Sequence, residues 1–284
     1  MAKDSLWTHK PSEALRFRSG DLVSDIDTDS SPGYSGRRED AETITAEREE
    51  NFAELQEMLY ATGREGDHRS VLLVLQGMDT AGKGGIVTHV VAAGNPMGID
   101  YHSFGKPTPE ELSHHFLWRI NKAVPPAGHI GVFDRSHYED VLVVRVHELV
   151  PADELEGRYD EINAFESELI DAGTSVVKVA MFVSLDEQKA RLTERLQRPD
   201  KFWKYNPGDL DERKLWPSYQ EAYQVMLERT STDQAPWFVL PCDKKWYARL
   251  AVTELLIEAM TAMNLSWPAA DFDLEAERKR VAEL

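Results

Sequence analysis

Residues 70–85, Ser-Val-Leu-Leu-Val-Leu-Gln-Gly-Met-Asp-Thr-Ala-Gly-Lys-Gly-Gly, constrain the fold more than any other stretch. An unbroken apolar run, Val71 to Leu75, leads into a glycine-rich turn, and an apolar-periodic segment from Ile86 to Ala93 follows. This order predicts a buried strand, a loop and a helix, and Gly77-Met78-Asp79-Thr80-Ala81-Gly82-Lys83 fits the G-x-x-x-x-G-K pattern of a phosphate-binding P-loop. Glycines let successive backbone N–H groups converge on phosphate oxygens, the helix N-terminus adds positive dipole, and the lysine adds a mobile positive charge. One position departs from the pattern. Gly84 stands where a Ser or Thr hydroxyl would bind magnesium, so other side chains must hold any metal.

At 284 residues, with 7 Trp, 10 Phe and 9 Tyr, the chain can fill one large core. No segment approaches the roughly 18 apolar residues of a membrane span, and the N-terminus has no apolar signal core, so a cytoplasmic protein without membrane partners is expected. Cys242 is the sole cysteine, which excludes an intrachain disulfide and a thiolate zinc cluster. The formal net charge of -18 disfavours nucleic acid as a partner. A polyanion could bind only along a local basic track.

Residues 1–39 mix apolar anchors (Leu6, Trp7, Leu15, Phe17, Val23, Ile26) with turn residues, which predicts an extended arm lying on the domain. A helix is expected from Asp40 to about Thr62, then the P-loop unit, then a short second strand at 98–104. Thr108-Pro109-Glu110-Glu111 supplies a cap, a first-turn proline and two acids, opening a helix to about Lys122 that carries Arg119. Its adjacent His114 and His115 face different sides and make a poor metal pair.

His129-Ile-Gly-Val-Phe-Asp134 is expected as the third strand. An apolar run ending in an acid downstream of a P-loop has the form of a Walker B element, its carboxylate at the strand end where open α/β sheets bind ligands. Helices follow over about 141–146 and 153–171, a fourth strand over 175–184, a helix capped by Asp186, a fifth strand over 236–241 and a final helix over about 244–263. Strands alternating with helices predict a five-stranded parallel sheet covered on both faces. The domain spans 40–267, and 268–284 is a charged tail.

Between Lys189 and Lys214 the charge reverses, with eight basic residues against five acidic ones. Arg191, Arg195 and Arg198 share one helical face at i, i+4, i+7. Pro199 ends that helix, Phe202 to Gly208 forms a loop, and Asp211 opens a long helix through Leu227. In P-loop kinases this position belongs to a lid, expected here over about 195–215, whose cations close over the transferring phosphoryl group.

Three separated motifs, Gly77 to Gly85, Val132-Phe-Asp-Arg-Ser-His-Tyr-Glu-Asp140 and Lys201-Phe-Trp-Lys-Tyr205 with Asp211-Glu-Arg-Lys-Leu-Trp216, together resemble the polyphosphate kinase 2 family. The resemblance runs over roughly residues 15–265 and implies a P-loop kinase of the thymidylate-kinase-like fold with a helical lid. It further implies transfer of the terminal phosphoryl group of inorganic polyphosphate to purine nucleotides (ADP or GDP, and AMP or GMP), in a homodimer or homotetramer. Residues 135–147 look like the subgroup acting on both nucleoside mono- and diphosphates.

The roles follow from the resemblance and the motif together. Asp79, Lys83, Asp134 and Arg135 are the expected catalytic set, with Asp79 and Asp134 holding magnesium, for which manganese could substitute. Gly77, Met78, Thr80, Ala81, Gly82, Gly84, Lys106, Arg119, Glu139, Arg195, Arg198, Lys201 and Lys204 are the expected phosphate- and nucleotide-binding residues. Two rivals remain: an ATP-dependent nucleoside monophosphate kinase and a non-catalytic nucleotide-binding module. The first would be expected to keep Ser or Thr at position 84, and the second has no need of both aspartates with the lysine.

Overall fold

A computed structural model describes residues 6–284; the first five residues of the expected arm lie outside the described part. From Leu6 to Tyr34 the arm lies on the domain, with one helical turn α1 (Pro11–Ala14) and with Leu15, Phe17 and Val23 buried. It meets the fifth strand edge-on. Phe17 N–H donates to Trp237 O (2.9 Å) and Val239 N–H donates to Leu15 O (2.7 Å), an antiparallel bridge that closes that edge of the sheet.

The long helix α2 (Arg38–Arg64) precedes β1 (Ser70–Gly77), and the P-loop leads into α3 (Lys83–His89). Next come β2 (Ile99–Ser103), the short α4 (Pro109–Leu112) and α5 (Trp118–Asn121), β3 (Ile130–Asp134), α6 (Glu139–Val146) and α7 (Ala152–Asp171). β4 (Thr174–Phe182), α8 (Leu185–Gln197), α9 (Gly208–Lys214), α10 (Trp216–Thr230), β5 (Trp237–Pro241), α11 (Lys245–Ala262) and α12 (Leu274–Ala282) complete the chain.

All strand pairs are parallel, in the order β2-β3-β1-β4-β5. Alternation along β1 divides the core in two. Val71, Leu73 and Leu75 join the layer built with α2, α3 and α11, and Leu72 and Val74 join the layer built with α6, α7 and α10. All five are fully buried, each worth about 1.5–3 kcal/mol relative to exposure. β1 is therefore the central strand, and the chain leaves its carboxyl end at the crevice beside β3. The register puts Leu75 opposite Asp134 and Asp134 opposite Ser103, so the P-loop, the strand-end acid and the end of β2 meet on one rim.

Three sequence expectations are corrected. The helix expected from 108 to 122 is two short pieces, α4 and α5; between them His115 pairs with Glu161 (2.7 Å) and Phe116 lies under Arg158, both partners on α7. The helix expected to run unbroken from Asp211 to Leu227 restarts at Trp216. Pro217 sits in the first turn of α10, where its missing N–H is tolerated and where it cannot continue α9. Ser184, not Asp186, caps α8, its hydroxyl accepting the Glu187 N–H at 3.1 Å. The tail helix α12 has no buried residue.

Candidate active site

The P-loop forms because β1 must end abruptly against β4. A Cβ on Gly77 would lie 2.7 Å from Met181 O, so only glycine fits this exit. Two later positions lie in the left-handed region, Thr80 (φ +68°) and Gly82 (φ +116°), which reverse the chain into α3. Lys83 folds back into the loop, its Nζ donating to Gly77 O at 2.6 Å. The Gly84 position is open: nothing lies within 4 Å of where a Cβ would stand. The loop is thus intact except for the missing hydroxyl.

Asp79 projects from the loop to meet Arg135, whose Nη2 donates to Asp79 Oδ1 at 2.7 Å. Arg135 follows the strand-end Asp134 directly and is itself left-handed (φ +63°). Its N–H donates to Leu75 O (3.0 Å), which pins the turn to β1. Burial alone would raise the Asp79 carboxyl, but the charges of Lys83 and Arg135 bring it below the ordinary carboxylate range. Asp134 accepts a 3.3 Å hydrogen bond from the Tyr101 hydroxyl on β2.

Beneath this turn lies a buried polar network. Ser136 Oγ donates to Gln76 Oε1 (3.2 Å), and Gln76 donates in turn to Glu139. The Tyr138 hydroxyl donates to Glu166 Oε1 (2.7 Å), and Lys178 donates to Glu166 Oε2 (2.6 Å) and Thr230 O (2.7 Å). His137 Nε2 lies 3.2 Å from Glu166 Oε1, the oxygen that the Tyr138 hydroxyl meets. Every charge here has a partner, as burial requires.

A cleft of about 780 Å³ opens over the loop. Lysine and arginine outnumber aspartate and glutamate eight to four along its walls. Lys83 and Arg135 come from the core, Arg195, Lys201 and Lys204 from the segment after β4. Lys245 and Arg249, one turn apart on α11, come from the opposite wall. A smaller cleft of about 250 Å³ shares Asp79, Arg135, Asn206 and Asp209 with the first and adds Glu139, Glu212 and Met78. Its charge is opposite: four carboxylates against Arg135 alone. Burial and the charge of Asp79 push the Asp209 carboxyl up, while its pairing with Arg195 (3.2 Å) opposes the rise.

Thr80, Ala81, Gly82 and Gly84 line the larger cleft together with Asp79, Lys83, Asp134 and Arg135, and Gly77 stands at the loop's entrance. The other expected ligands divide. Arg195, Lys201 and Lys204 face the larger cleft, Met78 and Glu139 the smaller. Lys106 is exposed and lines neither. Arg119 is turned inward, donating to Gly105 O (2.9 Å) and facing Asp140 at 3.6 Å. Arg198 points outward to Asp200 and Glu194. The shared face of Arg191, Arg195 and Arg198 does not give them a shared destination: Arg191 borders the larger cleft but is buried, its guanidinium taken by carbonyls of the P-loop.

Sequence reasoning missed Lys245 and Arg249, whose i, i+4 spacing on the last helix was a usable signal. It also missed Tyr101, Asn206 and Asp209, for which no pattern pointed to the cleft. Among the described residues no three His, Cys, Asp or Glu side chains gather as a metal cluster. The donor set nonetheless suits magnesium, which is commonly held by one or two carboxylates together with substrate phosphates and water. Asp79 and Asp134, both lining the larger cleft, are carboxylates of that kind.

The family model described as Polyphosphate kinase 2 matches residues 35–268. The AMP/ADP-polyphosphate phosphotransferase of Meiothermus ruber is 44% identical over 243 residues, covering 86% of this chain and 90% of that protein. The ADP-polyphosphate phosphotransferase of Rhodopseudomonas palustris is 40% identical over 247 residues, 83% of each. The crystal structure of polyphosphate kinase 2 from Arthrobacter aurescens TC1 superposes with a TM-score of 0.95 at 53% identity over 98% of both chains. A P-loop lacking its hydroxyl, a strand-end aspartate beside it and a basic cleft above both occur here in one fold, and with these matches the chain belongs to the polyphosphate kinase 2 family.

Proposed function

We propose that the enzyme transfers the terminal phosphoryl group of inorganic polyphosphate to nucleoside mono- and diphosphates, reversibly, making di- and triphosphates. The observation that carries this is the union of a P-loop carrying its own carboxylate, Asp79, with a single cleft whose cations come from the core, from the segment after β4 (Arg195, Lys201, Lys204) and from α11 (Lys245, Arg249). The similarity to an AMP/ADP-polyphosphate phosphotransferase supports acceptance of both phosphorylation states.

Phosphoryl transfer passes through a loose transition state with charge spread over the phosphoryl oxygens, so the protein's task is positioning and charge neutralisation. Lys83 and the loop amides hold phosphate oxygens at the bend of the loop. Arg135, tethered by Asp79, aims its guanidinium into the cleft. Arg195, Lys201 and Lys204, on the lid at about 195–215, neutralise the donor chain as it closes. Asp79 and Asp134 would hold Mg²⁺, which supplies Lewis-acid neutralisation of the phosphates when bound. The transfer needs no covalent enzyme intermediate.

The test is direct: the protein with magnesium, polyphosphate and ADP, or AMP, should yield ATP. Product appearing only with an ATP donor would replace this assignment by a nucleoside monophosphate kinase, and tight nucleotide binding without turnover would replace it by a binding module. We further place the protein in the cytoplasm as a homodimer or homotetramer; a light-scattering mass of 32.2 kDa would contradict the assembly.

A further inference from the structure

The loop's three carbonyls after its carboxylate are all held by one helix. Gln188 Nε2 donates to Asp79 O (3.1 Å). Arg191 Nη1 donates to Thr80 O (2.8 Å) and Ala81 O (3.1 Å). The other guanidinium nitrogens are committed as well: Nη2 to Cys242 O (2.6 Å) and Asp243 O (3.2 Å), and Nε to Glu187 (2.7 Å). Both residues are buried, and at i, i+3 on α8 they present one face to the loop. The basic run of the sequence thus contains one arginine that touches backbone only in the loop and the turn after β5.

A planar trans peptide carries its N–H opposite its C=O. Drawing these carbonyls toward α8 therefore turns the N–H groups of Thr80, Ala81 and Gly82 the other way. The Ala81 N–H is taken by Met78 O (3.1 Å), which leaves the other two for the cleft. Thr80 holds a left-handed backbone that a β-branched residue adopts only when its surroundings fix it. Arg191 is the group that does so, and a Cβ on Gly82 would lie 3.7 Å from its Nη1.

The same helix is wired to the lid. Arg213 on α9 donates to Gln188 Oε1 (2.6 Å) and Leu185 O (2.9 Å), fixing the Gln188 amide so that its nitrogen faces Asp79. One turn past Arg191, Arg195 joins Asp209 on α9. Lid position and loop conformation are thus read by adjacent side chains of α8.

We propose that Gln188 and Arg191 are positioning residues: a carbonyl clamp that keeps the P-loop oxygens away from substrate phosphate and couples the amide cradle to the lid. Resting on the polyphosphate-transfer reading, it assigns Arg191 no phosphate. Without the clamp a loop peptide flips and points an oxygen at an anion.

The experiment compares Arg191→Lys, Arg191→Met, Gln188→Leu and the exposed-charge control Lys189→Met by ATP formation from polyphosphate and ADP, with amide hydrogen exchange in parallel. Both Arg191 variants should lose kcat by about 10²-fold, the lysine being no rescue because it lacks the fork, while KM for polyphosphate changes far less. Exchange at residues 79–84 should accelerate about tenfold with β4 still protected. Gln188→Leu should show the same signature in weaker form, and Lys189→Met should match wild type. Near-normal kcat in Arg191→Lys, a loss confined to KM, or a kcat loss without faster loop exchange would each overturn the clamp. Should Arg191→Met not fold, the lysine and Gln188 variants decide the same question. If wild type itself forms no ATP from polyphosphate, the failure lies with the reaction assigned, and the exchange comparison still judges the clamp.

Discussion

Lys178 on β4 and Glu166 on α7 form an ion pair with no exposure to solvent on the lysine side, Nζ to Oε2 2.6 Å. Removing one partner leaves a stranded buried charge, so Lys178→Met alone should destabilise by about 3–5 kcal/mol, whereas Lys178→Met with Glu166→Leu should recover most of that loss. Burial raises the Glu166 carboxyl, but Lys178 and His137 outweigh it and hold it below its ordinary value of 4.5. A carboxyl depressed in the folded state stabilises above its unfolded range and loses that contribution as pH falls through the folded one. Urea unfolding should therefore show a stability decline that begins near pH 4.5 and continues below it, and that is smaller in the double variant.

Lys83→Ala and Asp134→Ala should each cut turnover by about 10²-fold or more, the first by removing a cation from the wall where negative phosphoryl charge develops, the second by removing a carboxylate that would hold Mg²⁺. Circular dichroism and melting should remain close to wild type for Asp134→Ala, because its carboxylate makes a single 3.3 Å bond to Tyr101. A folded variant turning over at wild-type rate would remove that residue from the catalytic set.

Lys201 and Lys204 line the cleft on the lid, Lys201 paired with Glu194 at 2.5 Å and Lys204 over the Trp203 ring. Replacing each by Gln should raise KM for long polyphosphate several-fold, leave KM for ADP nearly unchanged and flatten the dependence of the polyphosphate KM on salt. Equal effects on both substrates would place these lysines elsewhere in the reaction.

Cys242 is buried, and burial pushes its thiol up to about 12. The thiolate is the reactive form. A disulfide exchange reagent at pH 8 should therefore leave the folded protein untouched and titrate one thiol in urea. Rapid labelling of the native protein would show that the end of β5 opens.

The architecture was legible because its signals are local. Val71 to Leu75 could only be a buried strand, and Asp134 follows an apolar run whose register places it beside the loop. What escaped the sequence depends on side chains choosing among partners in three dimensions. Arg119, Arg191 and Arg198 read alike as cations, yet one meets Asp140, one meets backbone carbonyls and one meets Asp200. Lys245 and Arg249 reach the cleft because β5 lies at the sheet's edge next to β4, a neighbour relation fixed by strand order. Pro217 did carry its signal in the sequence, and it marks the α9–α10 break.

The basic cleft sits in a body of net charge -18. A long polyanion approaching from solution meets repulsion first and attraction only within about a Debye length of the cleft mouth. Association and retention therefore respond to ionic strength in opposite senses: modest salt speeds capture by screening the exterior, and the same salt speeds escape by screening the cleft. The response to salt is thus a property of where the charges lie, not of their sum.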